Sequence, residues 1–432
     1  MKTLIKKFTN NQFINASFYS AISSVIKIVT SLLIGKLIAN LSGAEGMVLY
    51  GQLLSFVVIL NVFSGGALNQ GITKYVAQYN VQAQEKIPLI LSTSIKITLY
   101  LSVILGILMI VFSKFISLQI LYSEKYFLVF VIYGFTITFF SLNNFLLSVL
   151  NGYKEYKKFN VLSIVLNLSS LIITILLSYS LDVLGTLLSV VVNQSIIFFI
   201  AIFYLRKEKW LKKENFTFPI DKFELKLLSG FALIAILSTA ITPISSIIIR
   251  NNIISELSLK DAGLYEFAFR VSSAVIIFFS LTISTYYLPR ISEISIRKEL
   301  FEEIKSTYKI VTPVLALLLV LIYLFRNYII LILASDDFKS ASPLFLWVLV
   351  GVFFKIITQI VGFVFLSKAQ IKSVIIIEIL YNLILTLLSI LLVKDYGLIG
   401  SVIAFCFCNI LYFIGVQILF YYKFVTSKTL SC

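Results

Sequence analysis

The sequence predicts an all-α integral membrane protein: about twelve transmembrane helices in two six-helix bundles, related by a pseudo-two-fold axis along the membrane normal. Three observations carry this expectation. Hydrophobic residues make up 59% of the 432 and charged residues 13%, against about a quarter charged in soluble domains, and mean hydropathy is +1.00. Apolar runs long enough to cross about 30 Å of hydrocarbon recur along the whole chain. Between them, segments rich in Lys and Arg alternate with segments poor in both.

The runs fall at about 16–39, 47–68, 89–112, 127–149, 160–180 and 184–205. After a polar joint they resume at about 228–249, 264–288, 309–325, 343–366, 374–393 and 397–421. The division is an N-terminal bundle over 1–210, a basic cytoplasmic linker over 211–226 and a C-terminal bundle over 227–432. Lys2, Lys6 and Lys7 precede the first run, but that run is too long for a signal-peptide core and no small-residue cleavage site ends it, so it is expected to stay as a span.

Charge sets the orientation. With the N-terminus cytoplasmic, inner segments hold 24 Lys and Arg while outer ones hold seven, Lys114, Lys125, Arg250, Lys260, Arg326, Lys339 and Lys394. Among the inner ones are Lys372 and Lys428. Both termini are therefore expected in the cytoplasm. Outer loops run to roughly 14 residues at most, too short for an outer domain.

The halves repeat. Gly46 after Leu41-Ser42 and Ala44-Glu45 answers to Gly263 after Leu257-Ser258 and Asp261-Ala262, and Val183-Leu184-Gly185-Thr186 to Leu398-Ile399-Gly400-Ser401. Lys74 answers to Arg290, and Lys114 with Ser123-Glu124-Lys125-Tyr126 to Arg326 with Ser335-Asp336-Asp337-Phe338; all four offsets lie between 212 and 217 residues. Six helices per half enter the membrane the same way up, which predicts a substrate site between the halves. The joint Arg206 to Lys226 reads either as a solvated basic linker or as an amphipathic element touching anionic headgroups. Ser292 to Lys309, with Ile296, Leu300, Ile304 and Tyr308 at spacing four, reads as a helix lying on the inner surface before the ninth span.

Composition also excludes. A formal charge of +16 suits nucleic acid in a soluble protein, but here it sorts to one side of a membrane. There is no His; Cys406 and Cys408 lie inside the last run, and no Gly-rich phosphate loop or carboxylate cluster occurs, so neither enzyme chemistry nor a metal or cofactor is expected.

The spans hold five cations, Lys27, Lys36, Lys96, Arg270 and Lys355, against two carboxylates, Glu266 and Glu378. Surplus positive charge suits an anion, whose bare passage through hydrocarbon carries an idealised penalty of order 20 kcal/mol per charge. Lys27 stands on a stripe with Ser20, Ser23, Ser24, Thr30 and Ser31; it either contacts an anion, snorkels, or pairs with a carboxylate of another helix. Lys36, on the opposite side of that helix, reads as a snorkelling anchor. Arg250 closes a stripe of Thr239, Thr242 and Ser246 beside Pro243, as a pocket residue or an outer-edge anchor. Glu266 and Arg270 have the i, i+4 order of an ion pair; an anion that draws Arg270 away would free Glu266 for H+ or Na+.

Lys355 shares a face with Thr358, Gln359 and Gly362, and Glu378 with Tyr381, Asn382 and Thr386; the two charges either pair across helices or line a cavity. Asn61, Ser64 and Gly65 add an uncharged polar face, and Lys96 has Ser92 and Thr93 beside it. Substrate contacts are thus expected from Lys27, Lys355, Arg270, Arg250, Lys96, Asn61 and Gln359, and ion coupling from Glu378 and Glu266.

Several stretches resemble one family. They are Gly35-Lys36-Leu37 with Lys27 nine positions before Lys36, the nine residues Gly71-Ile72-Thr73-Lys74-Tyr75-Val76-Ala77-Gln78-Tyr79, Arg250, Tyr287-Leu288-Pro289-Arg290-Ile291-Ser292, Lys355 and Glu378. Over essentially the whole length the chain resembles the bacterial polysaccharide repeat-unit flippases of the multidrug/oligosaccharidyl-lipid/polysaccharide exporter superfamily. The match is closer to the Wzx-like O-antigen and enterobacterial common antigen translocase group. The resemblance implies a V-shaped alternating-access transporter that moves an undecaprenyl-pyrophosphate-linked oligosaccharide to the periplasmic leaflet of the inner membrane. It supports Lys27, Arg250 and Lys355 as cavity cations, while the Glu266 and Arg270 pair has no counterpart in it. Implied partners are the lipid-linked substrate, membrane lipid, and the polymerase and chain-length machinery of the same pathway. Three alternatives carry different expectations. A cation-coupled multidrug exporter needs interior carboxylate surplus, a glycan polymerase or ligase needs a large outer loop, and a lipid II flippase brings two more helices.

Overall fold

The computed structural model describes residues 12–294, 296–368 and 370–426, without the side chains of 12–18, 233, 234, 371, 372, 425 and 426. Lys2, Lys6, Lys7, Lys428 and the side chain of Lys372, all counted toward orientation, lie outside the described residues. Among those described there are α-helices and no strand, the outcome hydrocarbon imposes on a chain whose backbone must satisfy its own N–H and C=O groups. The helices are α1 (Gln12–Leu41), α2 (Gly43–Ser64), α3 (Asn69–Gln82), α4 (Ile87–Val111), α5 (Ser113–Leu121), α6 (Phe127–Gly152), α7 (Tyr156–Leu205), α8 (Lys222–Glu256), α9 (Leu259–Glu293), α10 (Arg297–Leu324), α11 (Arg326–Leu333), α12 (Leu344–Ser367), α13 (Ile371–Tyr396) and α14 (Leu398–Phe420).

Eleven of these are long and apolar enough to cross a membrane. One of the eleven, α7, has 50 residues and turns back on itself at Asp182, where φ is 53° and ψ −129°. Hydrogen bonds nest about that residue: Ser178 with Thr186 at 2.8 Å, Thr174 with Ser189 at 3.0 Å, and Ser169 with Asn193 at 2.9 Å. Such pairing belongs to two antiparallel helices, and accounts for eleven helices where the sequence suggested twelve spans.

Two other boundaries differ from expectation. The second run, read as 47–68, stops being helical at Ser64, because Gly66 (φ 63°) and Ala67 (φ 54°) take left-handed backbone and α3 starts afresh. The loops after the third and ninth spans are not plain connections, since each contains a short helix, α5 and α11.

By Cα proximity the chain forms two compact units, Met1–Ile34 with Leu49–Ile244, and Gly35–Val48 with Ser245–Cys432. In the first unit the linker is pinned at Trp210 and Glu224, while most of its residues, its lysines among them, stay exposed. Trp210 is buried and stacks on Tyr153 (centroids 6.1 Å apart), within a core that includes Ile72, Val76, Leu91, Phe145, Leu146 and Leu228. In the second unit the amphipathic stripe before the ninth span is confirmed only in part: Leu300 and Ile304 are buried at the start of α10, while Ile296 is exposed.

Candidate substrate-binding residues

On α1, Val25, Val29 and Leu33 are exposed and Ser23 and Thr30 are buried. At 100° per residue Lys27 lies about 160° round the helix from both Val25 and Val29. Its exposed ammonium therefore opens on the face opposite the apolar stripe, beside the buried hydroxyls. Lys36 is exposed on the apolar side, as a snorkelling lysine should be.

The second unit gathers charges. Arg250, only 4% exposed, bridges to Glu266 with Nη1···Oε2 of 2.6 Å. The acid whose spacing pointed to Arg270 is thus met from the neighbouring helix α8, because a cross-helix approach aligns the two groups without bending either side chain along one helix surface. Burial also removes Arg250 from the role of outer-edge anchor. Arg270 lies over Gly35 of α1, where a Cβ would come within 2.7 Å of its Cδ, so the glycine makes room for the guanidinium stem.

On α12, Lys355 sits half-buried with Nζ 5.9 Å from the Tyr381 ring and 6.0 Å from that of Phe405, the outer limit of a cation–π contact. Glu378 of α13 attracts it, and Tyr412 places its hydroxyl beside the same carboxylate. Asn409 is fully buried and donates to the Tyr381 hydroxyl at 3.1 Å. Ser245 and Thr386 share a hydrogen bond of 2.6 Å between α8 and α13, and Ser280 donates to Gln359 at 2.7 Å. Among the described residues neither Lys27 nor Lys355 has a carboxylate at ion-pair distance.

Between α2 and α6 the first unit is joined by uncharged polar pairs. Asn144 donates to Asn61 at 2.9 Å and Ser141 to Ser64 at 2.6 Å, linking α6 to α2, while Asn143 reaches Gln194 at 3.4 Å. Neutral donors and acceptors of this kind match hydroxyl groups on a ligand as well as each other.

Lys96 belongs to another structure. Its ammonium donates to the Phe218 carbonyl at 2.5 Å, Ser92 donates to the carbonyls of Phe216 and Phe218, and the Thr93 hydroxyl accepts from the Asp221 N–H at 3.0 Å. Expected as a substrate contact, it fastens the linker to α4, where free carbonyls of an irregular segment need donors. The nine-residue stretch from Gly71 serves the same end. Gly71 leaves room for Leu228, Thr73 donates to Ser148, Lys74 lies 4.8 Å over the Phe231 ring, and Tyr79 donates to both oxygens of buried Glu224 at 2.9 and 3.1 Å. Burial first, then the Glu224 carboxylate, raise the Tyr79 hydroxyl above the ordinary phenol range, so it remains a donor at neutral pH.

Sequence reasoning missed Asn144, Ser141 and Asn409, whose partners sit on other helices, and it missed Glu224, which read as one more charge in a basic linker. The dense clustering of Tyr79, Tyr75 and Lys74 before an apolar run was the available signal for the clasp.

The arrangement can be set beside known proteins. The profile of the family described as "Polysaccharide biosynthesis protein" matches residues 13–295. A lipid III flippase of Escherichia coli (strain K12) is 25% identical over 399 residues, 92% of this chain and 95% of that protein. Among solved structures, an inward-facing multidrug resistance MATE family transporter of the MOP superfamily superposes with a TM-score of 0.79 at 15% identity, over 95% of this chain and 100% of that one. The lipid II flippase MurJ, in an inward closed conformation, gives 0.74 at 19% identity, over 93% and 87%. The two structural likenesses establish a shared all-α membrane transporter fold.

Proposed function

We propose, from the premise that this chain belongs to the polysaccharide biosynthesis protein family, that it is a flippase. Its substrate would be an undecaprenyl-pyrophosphate-linked oligosaccharide, an O-antigen or related surface glycan unit, moved from the cytoplasmic to the periplasmic leaflet of the inner membrane. The observation that carries this reading is charge: Lys27 and Lys355 stand in apolar helices with no carboxylate at ion-pair distance among the described residues. A charge so placed costs roughly 2.5–3.5 kcal/mol on insertion scales and marks a substrate path. The curated relatives named lipid III flippases support the same class.

In this reading Lys27 and Lys355 replace hydration around the pyrophosphate, with Arg270 as a further donor. Arg250 acts through Glu266, which it holds in place by their ion pair. The amides and hydroxyls of Asn61, Asn144, Ser64 and Ser141 meet sugar hydroxyls, and Gln359 does so from α12. The halves 1–210 and 227–432, joined by 211–226, work by alternating access, with both termini cytoplasmic. Glu378, set between Lys355 and Tyr412, and Glu266, set against Arg250, are the groups through which H+ or Na+ is coupled. The chain is a transporter and not an enzyme, and it delivers its product to the polymerase and chain-length machinery.

The test is direct. Wild-type proteoliposomes should flip a fluorescent undecaprenyl pyrophosphate oligosaccharide; if they instead expel a cationic dye and move no glycolipid, the multidrug-exporter reading replaces this one. Loss of ion dependence in neither Glu378→Gln nor Glu266→Gln would remove the coupling role of both acids.

A further inference from the structure

Between α13 and α14 a groove of about 420 Å³ opens on the surface of the second unit. Its walls are apolar and exposed, with Leu380 and Ile384 on one side, four residues apart, and Leu411 and Ile418 on the other, seven apart, the spacings of helix stripes. Its floor is aromatic: Tyr381 and Tyr412 pack with centroids 5.0 Å apart. Gly415 leaves it open, since a Cβ there would find no atom within 4 Å. At roughly 30 Å³ for a water-sized group, the volume takes on the order of a dozen methyl or methylene groups, a stretch of chain and not a whole lipid.

Charge lies close to this floor. Lys355 Nζ is 5.9 Å from the Tyr381 ring, and Tyr412 lies beside Glu378. We infer that the groove holds the hydrocarbon chain nearest the diphosphate of a polyprenyl lipid carrier whose anionic group Lys355 engages. The inference rests on the flippase reading above and extends it to the lipid part of the substrate. Position distinguishes this occupant from a bulk phospholipid. Lys355 is 11 residues from Leu344 and 12 from Ser367, so it lies about 17 Å from either end of α12. A bulk lipid keeps its headgroup at the membrane surface, beyond the ends of the helices. Only a molecule whose charge has been brought to mid-helix puts its first chain atoms at Tyr381.

Photocrosslinking tests this without requiring transport. The full chain in liposomes carries p-benzoylphenylalanine at Ile384, and the probes are alkyne-tagged undecaprenyl diphosphate and alkyne-tagged phosphatidylglycerol. The diphosphate should crosslink, and both Gly415→Trp, which fills the groove from an open position, and Lys355→Ala should lower the adduct about five-fold or more. Phosphatidylglycerol, whose acyl chains reach this depth from the membrane surface, should give an adduct that Lys355→Ala leaves unchanged. A diphosphate adduct indifferent to both substitutions, or a phosphatidylglycerol adduct that falls as far with Lys355→Ala, overturns the assignment; Gly415→Leu replaces Gly415→Trp if the larger variant does not fold. Transport supplies the second arm. Gly415→Trp should slow flipping of a full-length carrier while leaving a two-isoprene analogue at the wild-type rate, and equal slowing of both lengths counts against a chain site. A wild type that crosslinks the diphosphate here yet flips nothing sinks the flippase reading and keeps the groove's occupant.

Discussion

At Asp182 the chain of the first unit reverses with φ 53° and ψ −129°, and 215 residues later, at Gly397, the second unit reverses with φ 60° and ψ −147°. Three residues beyond each reversal stands a glycine, Gly185 or Gly400, whose Cβ would collide with the carbonyl of the residue eight positions before it, Leu177 or Leu392. The short helices α5 and α11 follow Phe112 and Phe325 of nearly equal backbone angles. The interiors are unlike. The first unit links its helices by serine and asparagine pairs and binds the linker with a tyrosine–glutamate clasp, whereas the second buries Arg250 on Glu266 and holds Lys355 near Glu378. Turn geometry and interior polarity are therefore separate properties of these two units: the first depends on a few backbone positions, the second on the side chains those helices carry.

This comparison can be broken at several points. The largest effect is expected from Arg250→Ala, which leaves Glu266 without its partner and should destabilise the protein by about 3–5 kcal/mol, read as a fall in Tm. A variant with wild-type Tm would show that the pair does not hold the second unit. Next, Gly185→Ala and Gly400→Ala should each lose about 3 kcal/mol, and by similar amounts, since both bring a methyl onto backbone; a large difference between them would separate the two turns. At the reversals themselves, Asp182→Gly should stabilise and Gly397→Asp destabilise by about 1–3 kcal/mol, because only glycine takes that backbone region without strain. Tyr79→Phe removes the single hydroxyl donor that both Glu224 oxygens share and should weaken the clasp by about 1–3 kcal/mol, with limited proteolysis near Trp210 accelerated. Ser141→Ala, a neutral pair in the first unit, should change stability by only about 1 kcal/mol.

Much of the fold was legible because hydrocarbon leaves a chain few choices. Spans such as 127–149 and 343–366 lie within a few residues of α6 and α12. The stop at Ser64 was not legible from hydropathy, since Gly65 to Leu68 are apolar enough to continue a span and only backbone conformation ends it. For the candidate site, residue type pointed to Lys27, Lys355 and Glu378, but partner choice lies between helices. Arg250 for Glu266, and the Phe218 carbonyl for Lys96, cannot be read from spacing along one helix.

The most direct measurement is the flipping rate of a fluorescent undecaprenyl pyrophosphate oligosaccharide in proteoliposomes, for wild type, Lys27→Ala, Lys355→Ala and Lys36→Ala. A hydrogen bond to a charged group is worth about 1.5–3 kcal/mol, and 1.4 kcal/mol is tenfold, so each interior substitution should slow flipping by about ten-fold or more. Lys36→Ala, on the apolar face, should leave the rate unchanged. Lys27→Ala and Lys355→Ala proteins that insert normally and flip at the wild-type rate would contradict the account.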